Sequence, residues 1–354
     1  MTDFATRHAA FRVQVQSALD AFLARHAPGL ADISDALVPT VTALTAFLAG
    51  GKRLRPACAY WGYLGAGGTD DAIIAASASL ELLQASALIH DDVMDNSDSR
   101  RGQPSIHRQF EALHRAQRLH GDAMQFGAAA AILIGDLALA WTDTMYYESG
   151  FDADALARGK RVLDAMRTEL MAGQFLDVTE QARGGGSVER ARRVMRYKTT
   201  AYTIERPLHL GAALAGADDA TFAAYSAFGV PLGEAFQLRD DLLGVFGDAD
   251  ETGKPAGDDL REGKRTVLIA IAHERANAAE RATLDALIGN PSLTSDQINT
   301  VREILEGTGA RADVESRIDA NRQQAIAALR TDAITADAAD MLHALAIAAT
   351  DRTA

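Results

Sequence analysis

Two aspartate clusters lie in apolar helical stretches of this 354-residue chain, and they limit its possible folds more than any other feature. The first cluster, DDVMD at 91–95, follows the apolar stretch 73–90, and the second, DD at 240–241, lies inside the apolar stretch 228–246. Apolar stretches of this length without an alternation of period two predict core helices. Because charges buried in a core must be paired or bound to metal, the pattern predicts an all-α fold whose core helices carry carboxylates to a site.

The first cluster has the spacing expected of a magnesium site. Positions i and i+4, and i+1 and i+4, share one face of a helix, so the carboxylates of Asp91, Asp92 and Asp95 are expected to converge. Mg²⁺ would relieve their repulsion, because it takes oxygen ligands and commonly combines one or two carboxylates with phosphate oxygens. A short acidic run is more often a solvated helix end. The apolar residues before Asp91 and the second pair at Asp240 favour a metal site, with a polyphosphate as its ligand.

Basic residues at or beside glycine-containing turns would supply the charges that bind a polyphosphate. They occur in GGKRLRP at 50–56, RRG at 100–102, KTT at 198–200 and GKPAGDDLREGKRT at 253–266. Arg offers a planar fork that matches phosphate, and Lys is a mobile point charge suited to the same anion. Each alone would be read as a solvated surface charge. In a chain with 48 acidic and 35 basic residues, their position beside acidic clusters indicates anion binding.

Six motifs, in order along the chain, resemble those of the trans-type isoprenyl diphosphate synthases. They are GGKRLRP, LIHDDVMDNSDSRRG, GQFLD, KTT, FQLRDDLLG and GKPAGDDLREGKRT, and the resemblance runs from about residue 45 to residue 275. The chain looks most like the bacterial geranylgeranyl diphosphate synthases, because its first aspartate motif is the short DDxxD form. The resemblance implies long antiparallel helices around a deep apolar pocket, and a homodimer.

The resemblance also implies a reaction and the residues that serve it. Isopentenyl diphosphate would add to an allylic diphosphate, with three Mg²⁺ ions, or Mn²⁺ in their place, stabilising the leaving group. The predicted ligands of two ions are Asp91, Asp92 and Asp95, and those of the third ion are Asp240 and Asp241. The residues expected to carry catalysis are Asp91, Asp92, Lys198 and Asp240.

The two substrates are assigned to different basic residues by the same resemblance. The residues implied for isopentenyl diphosphate are Lys52, Arg55, Gln84 and Arg101. The residues implied for the allylic diphosphate are Arg100, Lys198, Thr199, Gln237 and Lys254. Neither a Ser/His/Asp triad nor a cysteine nucleophile is apparent, and the family resemblance indicates that the released diphosphate takes the proton.

The second aspartate motif departs from the family pattern at its last position. Where DDxxD has its third aspartate, this chain has Gly244, and the next carboxylate is that of Asp248. Asp248 lies about 12 Å along the helix from Asp240 at 1.5 Å per residue, too far to share one ion directly. The third metal site is therefore expected to use two carboxylates and water, and Gly244→Asp is expected to raise the affinity for Mg²⁺.

The residues before Asp91 bear on the length of the product. Relatives that stop at fifteen carbons usually have an aromatic residue four or five positions before the first aspartate, where this chain has Ala87 and Ser86. A growing chain should pass these residues, so Leu83 or the layer below it is the expected floor. One helical turn of 5.4 Å corresponds to about one extended isoprene unit. A twenty-carbon product is predicted, with the fifteen- and twenty-five-carbon products as alternatives.

Helices are predicted throughout a single domain over residues 1–354. Glycine-rich breaks at 65–68, 183–186 and 253–257 separate them. The predicted helices before residue 276 cover 4–26, 32–49, 53–65, 70–94, 118–148, 152–181, 187–214, 218–247 and 258–275, with four more after it.

Composition is that of a cytoplasmic enzyme without stable membrane insertion. The net charge of −13 argues against nucleic acid and anionic membranes as partners. The single cysteine, Cys58, excludes an intrachain disulfide and suits core packing. The N-terminal segment lacks the continuous apolar stretch of a signal peptide. The apolar stretch 126–141 is interrupted by Asp136 and too short to span a membrane, so it is expected to form a buried helix.

Two other classes of protein share part of this pattern. A class I terpene cyclase also uses an aspartate-rich helix and Mg²⁺, but its second motif needs Asn or Asp, Ser or Thr, and Glu at i, i+4 and i+8. Starting from Asp240, this chain has Gly244 and Asp248 at the later positions, so that motif is missing. A non-catalytic partner subunit would keep the fold and lose the metal sites, whereas this chain retains most of both aspartate motifs.

Overall fold

The computed structural model describes residues 2–247 and 257–351, and most of them are helical. Asp248 and Lys254 lie outside these ranges. A short antiparallel pair, β1 (Ser99–Arg100) and β2 (Gln103–Pro104), follows the first aspartate cluster. The helices are α1 (Thr2–Ile33), α2 (Val38–Leu48), α3 (Leu54–Gly65), α4 (Ala72–Met94), α5 (Ile106–Ala116), α6 (Ala123–Tyr147), α7 (Ala153–Arg183), α8 (Val188–Val194), α9 (Arg206–Ala215), α10 (Asp219–Phe246), α11 (Asp258–Glu262), α12 (Val267–Arg275), α13 (Ala278–Leu287), α14 (Ser295–Gly307), α15 (Ala310–Ala328) and α16 (Ala336–Thr350), with a 3₁₀ turn at Asp35–Leu37 and a π-helical segment at Met195–Glu205 between α8 and α9.

The all-α prediction is confirmed, and the predicted segments differ from the structure in several places. The first helix continues past residue 26, through Pro28, to Ile33. The segment predicted over 258–275 forms two helices, α11 and α12, because Gly263 between them has φ +80° and ends the first. Helix α5 was not predicted. Its amphipathic signal is the spacing of Ile106, Phe110 and Leu113, which share one face of a helix.

The two helices that carry the aspartates are central to the packing. Helix α4 packs against α1, α3 and α6, and α10 packs against the π-helical segment and α15. The last turn of α4 and the second half of α10 therefore lie in the protein interior. Cys58 on α3 is fully buried, as predicted, and burial raises the pKa of its thiol to about 12, so it remains protonated.

Helix α6 differs from the buried helix predicted for this stretch. It packs against α4 and α5, but apolar side chains also cover its other face, where Leu133 is 67% exposed and Ile132 45% exposed. By length and apolar composition, α4 and α6 could each cross a membrane. The apolar window of α4 is 67% buried inside the protein, whereas that of α6 is 28% buried. The apolar residues of α6 thus exceed what the packing of one chain uses.

Candidate active site

Aspartates from both clusters, Asp91 from the first and Asp240 and Asp241 from the second, line one cavity of about 740 Å³ together with most of the predicted substrate-binding residues. Helices α4, α7 and α10, the π-helical segment and the residues just before α12 form its walls. The predicted residues that line it are Lys52, Arg55, Gln84, Ala87, Asp91, Arg100, Lys198, Thr199, Gln237, Asp240 and Asp241. Folding therefore joins residues that are widely separated along the chain.

Asp91 lies at the end of α4 and is surrounded by donors from two other elements. Its Oδ1 accepts hydrogen bonds from Gln174 Nε2 at 2.8 Å and from Lys198 Nζ at 3.1 Å. Burial alone would raise the pKa of Asp91, but the positive charges of Lys198, Lys264 and Arg100 outweigh it and hold that pKa well below its usual range. Asp91 is therefore an anion in the cavity wall.

Asp92 points to a different partner. Its side chain is almost fully buried, and Oδ1 accepts hydrogen bonds from Arg100 Nε at 2.9 Å and from a terminal nitrogen of the same guanidinium. Arg100 also lies 3.5 Å from Asp91. Burial would lower the pKa of Arg100, but its pairing with Asp92 outweighs this effect and raises it. The expected convergence of three carboxylates on one point is thus not found, because Asp92 pairs with Arg100.

Asp95 is the carboxylate that most clearly lacks compensation. Its side chain is 1% exposed, and neither oxygen accepts a hydrogen bond from any described residue. The nearest cation is Lys264, whose Nζ lies 3.7 Å from Oδ2. Burial and the negative charge of Asp91 raise the pKa of Asp95 to about 6. Since buried acceptors without partners are costly, this carboxylate suits a further cation.

The second cluster lies across the cavity on α10. Asp240 lines the cavity, and Asp241, 4% exposed, accepts a hydrogen bond from Gln237 Nε2 at 2.7 Å. Burial raises the pKa of Asp241 to about 8, and the charges of Asp259 and Asp240 add to this effect. An acid with such a pKa ionises readily only when a cation is near.

Gly244 is where the structure corrects the sequence prediction. A Cβ at this position would lie 1.9 Å from Asp259 Oδ2, so the carboxylate of Asp259 occupies the space beside α10 that a side chain at 244 would fill. Asp259 was not among the residues predicted for the site. Asp259 lines the same cavity and lies 3.3 Å from Lys264. A carboxylate from the short helix α11 therefore supplies the third negative charge near Asp240 and Asp241.

The donor set fits divalent metal, although the side chains are arranged around protein cations. Among residues 2–247 and 257–351, no three Asp, Glu, His or Cys side chains converge closely enough to hold an ion by themselves. Lys264 takes part of the cationic role, contacting Glu262 at 2.5 Å as well as Asp95 and Asp259. Asp95, with its unbonded oxygens, and Asp241, with its raised pKa, are acceptors that an oxygen-binding cation would satisfy.

The position of Lys198 depends on the close approach of α7 to the π-helical segment. A Cβ at Gly173 of α7 would lie 2.3 Å from the backbone nitrogen of Lys198, so glycine permits this contact. Lys198 Nζ reaches Asp177 of α7 at 2.6 Å and Asp91 at 3.1 Å. Burial would lower the pKa of Lys198, but the charges of these two carboxylates outweigh burial and raise that pKa. The GQFLD motif thus contributes Asp177, which sequence reasoning did not assign.

The residues predicted for isopentenyl diphosphate form a neighbouring group. Arg55 donates a hydrogen bond to Thr203 Oγ1 at 2.7 Å, and its guanidinium lies 4.3 Å from the centre of the Tyr202 ring. The Tyr202 hydroxyl donates to Gln84 Oε1 at 2.8 Å. Arg101 lies beside Gly51, next to the cavity-lining Lys52, but is not itself among the described residues that line the cavity. Tyr202 is a further residue that sequence reasoning missed.

Of the three residues predicted to set product length, only Ala87 lines the cavity. Leu83, one turn deeper on α4, belongs to a buried apolar cluster that includes the cavity-lining residue Leu170. Ser86 is buried one turn before His90, whose Nε2 lies 3.0 Å from the carbonyl oxygen of Ile132 on α6. Ser86 therefore lies on the face of α4 that meets α6.

Comparison with known proteins agrees with this geometry. The polyprenyl synthetase family profile matches residues 40–305. A geranylgeranyl diphosphate synthase of Mycobacterium tuberculosis is 34% identical over 80% of this chain and 76% of its own length. A geranylfarnesyl diphosphate synthase of Aeropyrum pernix is 33% identical over 84% of this chain and 89% of its own length. The crystal structure of a Corynebacterium glutamicum geranylgeranyl pyrophosphate synthase, complexed with isoprenyl diphosphate and magnesium, covers 97% of this chain and 99% of its own, with 44% identity and a TM-score of 0.94.

The fold and the two aspartate-bearing helices at one cavity are those of an all-α prenyl diphosphate synthase. This chain belongs to the polyprenyl synthetase family. The predicted class of enzyme, a trans-prenyltransferase acting on isoprenyl diphosphates, is confirmed.

We predict that Asp91→Ala removes turnover while the helical fold is retained. The substitution removes one of the two acceptors of Lys198 and a predicted metal ligand, which should reduce the rate by about 10²-fold or more. Steady-state kinetics and circular dichroism measure the two effects. Asp98→Ala is the matched control, because the Asp98 side chain is 83% exposed near the same cluster. Near wild-type turnover in Asp91→Ala would exclude the metal assignment.

For Gly244→Asp, the structure reverses the sequence-based expectation. The new side chain must displace Asp259 and add a carboxylate to a crowded acidic group, so the Mg²⁺ concentration for half-maximal activity should rise roughly tenfold, or about 1.4 kcal/mol. Gly244→Ala adds the Cβ without the charge and should show a smaller rise. A magnesium titration of activity compares the three proteins. A lower Mg²⁺ concentration for half-maximal activity in Gly244→Asp than in the wild type would contradict this prediction and support the expectation from sequence.

Proposed function

We propose that this chain condenses isopentenyl diphosphate with an allylic diphosphate to give geranylgeranyl diphosphate. The observation that carries the proposal is that Asp91, Asp240 and Asp241 line the same cavity as two groups of basic residues. An apolar layer from α4 and α7 begins beside them at Ala87 and Leu170. Such a cavity can bind two diphosphates at its charged end and receive a growing hydrocarbon chain at its apolar end.

The basic residues divide into two diphosphate sites. Lys198, Thr199 and Arg100 lie beside Asp91 and would bind the allylic diphosphate, together with Gln237 and with Lys254, which lies outside the described residues. Lys52, Arg55 and Gln84, with Arg101 near them, would bind isopentenyl diphosphate. The two sites share one cavity, so the double bond of the second substrate can face the allylic carbon of the first.

Divalent metal would be held between the acidic clusters. Asp91 and Asp95 would hold it on the α4 side, and Asp240 and Asp241 on the α10 side, with Asp259 close by. Asp92 would orient Arg100 and join the ligands only if that arginine turns to the diphosphate. Three Mg²⁺ ions, as the family resemblance implies, would supply positive charge against which the allylic diphosphate can depart.

The side chains then have separate parts in the reaction. Lys198 and Arg100, released from Asp91 and Asp92, would stabilise the negative charge that develops on the leaving diphosphate. The allylic carbon becomes cationic and the double bond of isopentenyl diphosphate attacks it. A proton is lost from the new chain, and a diphosphate oxygen is the proposed acceptor. The buried walls around Tyr202 and Leu170 would keep water from the cation.

The length of the product depends on the cavity wall along α4. Small Ala87 at the cavity wall leaves room for a chain longer than fifteen carbons, and Leu83 lies one turn deeper in the apolar cluster. Synthases named for farnesyl, geranylgeranyl and geranylfarnesyl products all match this chain at similar identity. Farnesyl and geranylfarnesyl diphosphate therefore remain the alternatives to a twenty-carbon product.

A homodimer in the cytoplasm is the proposed working form. Four large apolar side chains of α6 are exposed in one chain, namely Met124, Phe126, Ile132 and Leu133. Phe126 and Leu133 are seven residues apart and share one face of the helix. Contiguous exposed apolar residues usually mark an interface. A second copy of the chain is the occupant that the family resemblance implies for such a face.

Purified protein tests the proposal directly. Incubation with Mg²⁺, isopentenyl diphosphate and dimethylallyl, geranyl or farnesyl diphosphate should give mainly a twenty-carbon diphosphate, resolved by chromatography after dephosphorylation. Cyclic hydrocarbon products would indicate a terpene cyclase. A complete lack of turnover with all three primers would contradict the proposed function.

We predict that Ala87→Phe shortens the product to fifteen carbons. Phenylalanine at this cavity-lining position would block the path past the wall, so chain growth should stop about one unit earlier. Ser86→Phe is the comparison, because position 86 lies at the α4–α6 contact. It should cost about 1–3 kcal/mol of stability through overpacking with less effect on product length. An unchanged product in Ala87→Phe would show that this face does not guide the chain.

We predict that Leu133→Glu converts the dimer to monomer. A charge on the apolar face of α6 would be buried without a partner in the dimer, which is strongly unfavourable. Analytical ultracentrifugation at micromolar concentration measures the change. Val13→Glu on α1 is a matched control, since Val13 is 66% exposed and Leu133 is 67% exposed. If the Leu133 variant has the same mass as the wild type, α6 is not the interface.

A further inference from the structure

Arg53 differs from its two basic neighbours in the GGKRLRP segment. Lys52 and Arg55 line the cavity, whereas Arg53 turns into the core and is only 3% exposed. Its backbone has φ +53° at the residue before α3, a left-handed conformation that non-glycine residues rarely adopt. A buried arginine in this conformation, within the substrate-binding turn, requires an explanation.

The guanidinium of Arg53 joins three helices. It donates hydrogen bonds to Glu81 on α4, to Gln16 Oε1 on α1 at 2.6 Å, and to the carbonyl of Leu48 at the end of α2. Lysine has no planar fork and could not reproduce this arrangement of donors. These contacts hold the turn in place against the preference of the backbone.

The same network ties the turn to α4 near another substrate-binding residue. Glu81 is 6% exposed, and it lies three residues before Gln84, on the same side of the helix. Gln84 lines the cavity and accepts from Tyr202, against whose ring Arg55 packs. The backbone carbonyl of Arg53 also accepts the hydrogen bond from Ala57 at 3.0 Å that starts α3. Arg53 thus fixes where Lys52 and Arg55 lie relative to Gln84.

We propose that the buried Arg53–Glu81 pair is a positioning device for isopentenyl diphosphate, which sets the geometry of Lys52, Arg55 and Gln84 without touching the substrate. The inference rests on the proposed function and adds to it a reason why the middle cation of the segment must be arginine. The allylic site around Lys198 lies on other elements, so loss of the pair should affect the two substrates unequally.

The first test compares substrate affinities in Arg53→Lys and Arg53→Gly. Lysine keeps the charge but loses the fork, and glycine relieves the left-handed backbone while removing all the contacts. Both should raise KM and the calorimetric Kd for isopentenyl diphosphate about tenfold, or 1.4 kcal/mol. KM for the allylic primer should change much less. Calorimetry with isopentenyl diphosphate alone gives this result even where turnover is low.

The matched control is Arg206→Lys. Arg206 likewise pairs with a carboxylate, through two hydrogen bonds to Glu169 at 2.8 and 2.6 Å, but it does not line the catalytic cavity. The Arg206→Lys variant should have a lower melting temperature without a selective change in KM or Kd for isopentenyl diphosphate. If Arg206→Lys and Arg53→Lys alter both substrates alike, Arg53 is only a structural residue and the proposal is wrong.

A double-mutant cycle tests whether the pair acts as a unit. Arg53→Gln and Glu81→Gln should each weaken isopentenyl diphosphate binding, and the double variant, with two neutral amides, should be no weaker than the worse single variant. Additive losses would overturn the pairing. If wild-type protein binds isopentenyl diphosphate but the Arg53 variants bind it equally well, only the positioning role fails. If wild-type protein binds neither diphosphate, the proposed function fails with it.

Discussion

The structure depends on the compensation of buried negative charge. Asp91, Asp92 and Asp95 end a core helix, and ionised carboxylates in such surroundings are strongly unfavourable without cations. The chain meets this requirement with cations from separate segments, namely Arg100, Lys198 and Lys264. Each ion pair joins two elements, so the contacts that compensate the charge also fix the walls of the cavity. The catalytic cavity and the stable packing around it have a common cause.

This compensation is incomplete in a way that matches the chemistry. Asp95 has no hydrogen-bond donor among the described residues, and the pKa of Asp241 is raised to about 8 by burial and nearby carboxylates. A diphosphate that took Lys198 from its aspartate would leave still more carboxylate unpaired. A diphosphate accompanied by divalent metal would match both sets of charges. The same side chains can therefore serve two arrangements, one paired within the protein and one paired with ligand.

Sequence reasoning succeeded for features set by neighbouring residues. It was incomplete for contacts between segments that are distant along the chain. The apolar stretches before Asp91 and around Asp240 predicted the two core helices, and family motifs predicted which residues would meet. The placement of Asp259 beside Gly244 could not be inferred, because it depends on how the short helix α11 packs against α10. The role of Arg53 was equally hidden. In the sequence it is one of three cations within residues 52–55, and only the fold places it beside Glu81 and away from the cavity.

The sequence by itself determined the helical class, the two aspartate-bearing helices and the type of ligand, because hydrophobic periodicity and carboxylate spacing act over a few residues. Tertiary structure alone decided which carboxylates pair with which cations, since Asp91 to Lys198 and Asp95 to Lys264 are contacts between distant segments. It also decided that Ala87 faces the cavity while Ser86 faces α6. The physical reason is that a helix fixes the relative directions of its own side chains, but only packing against other helices decides what each direction meets.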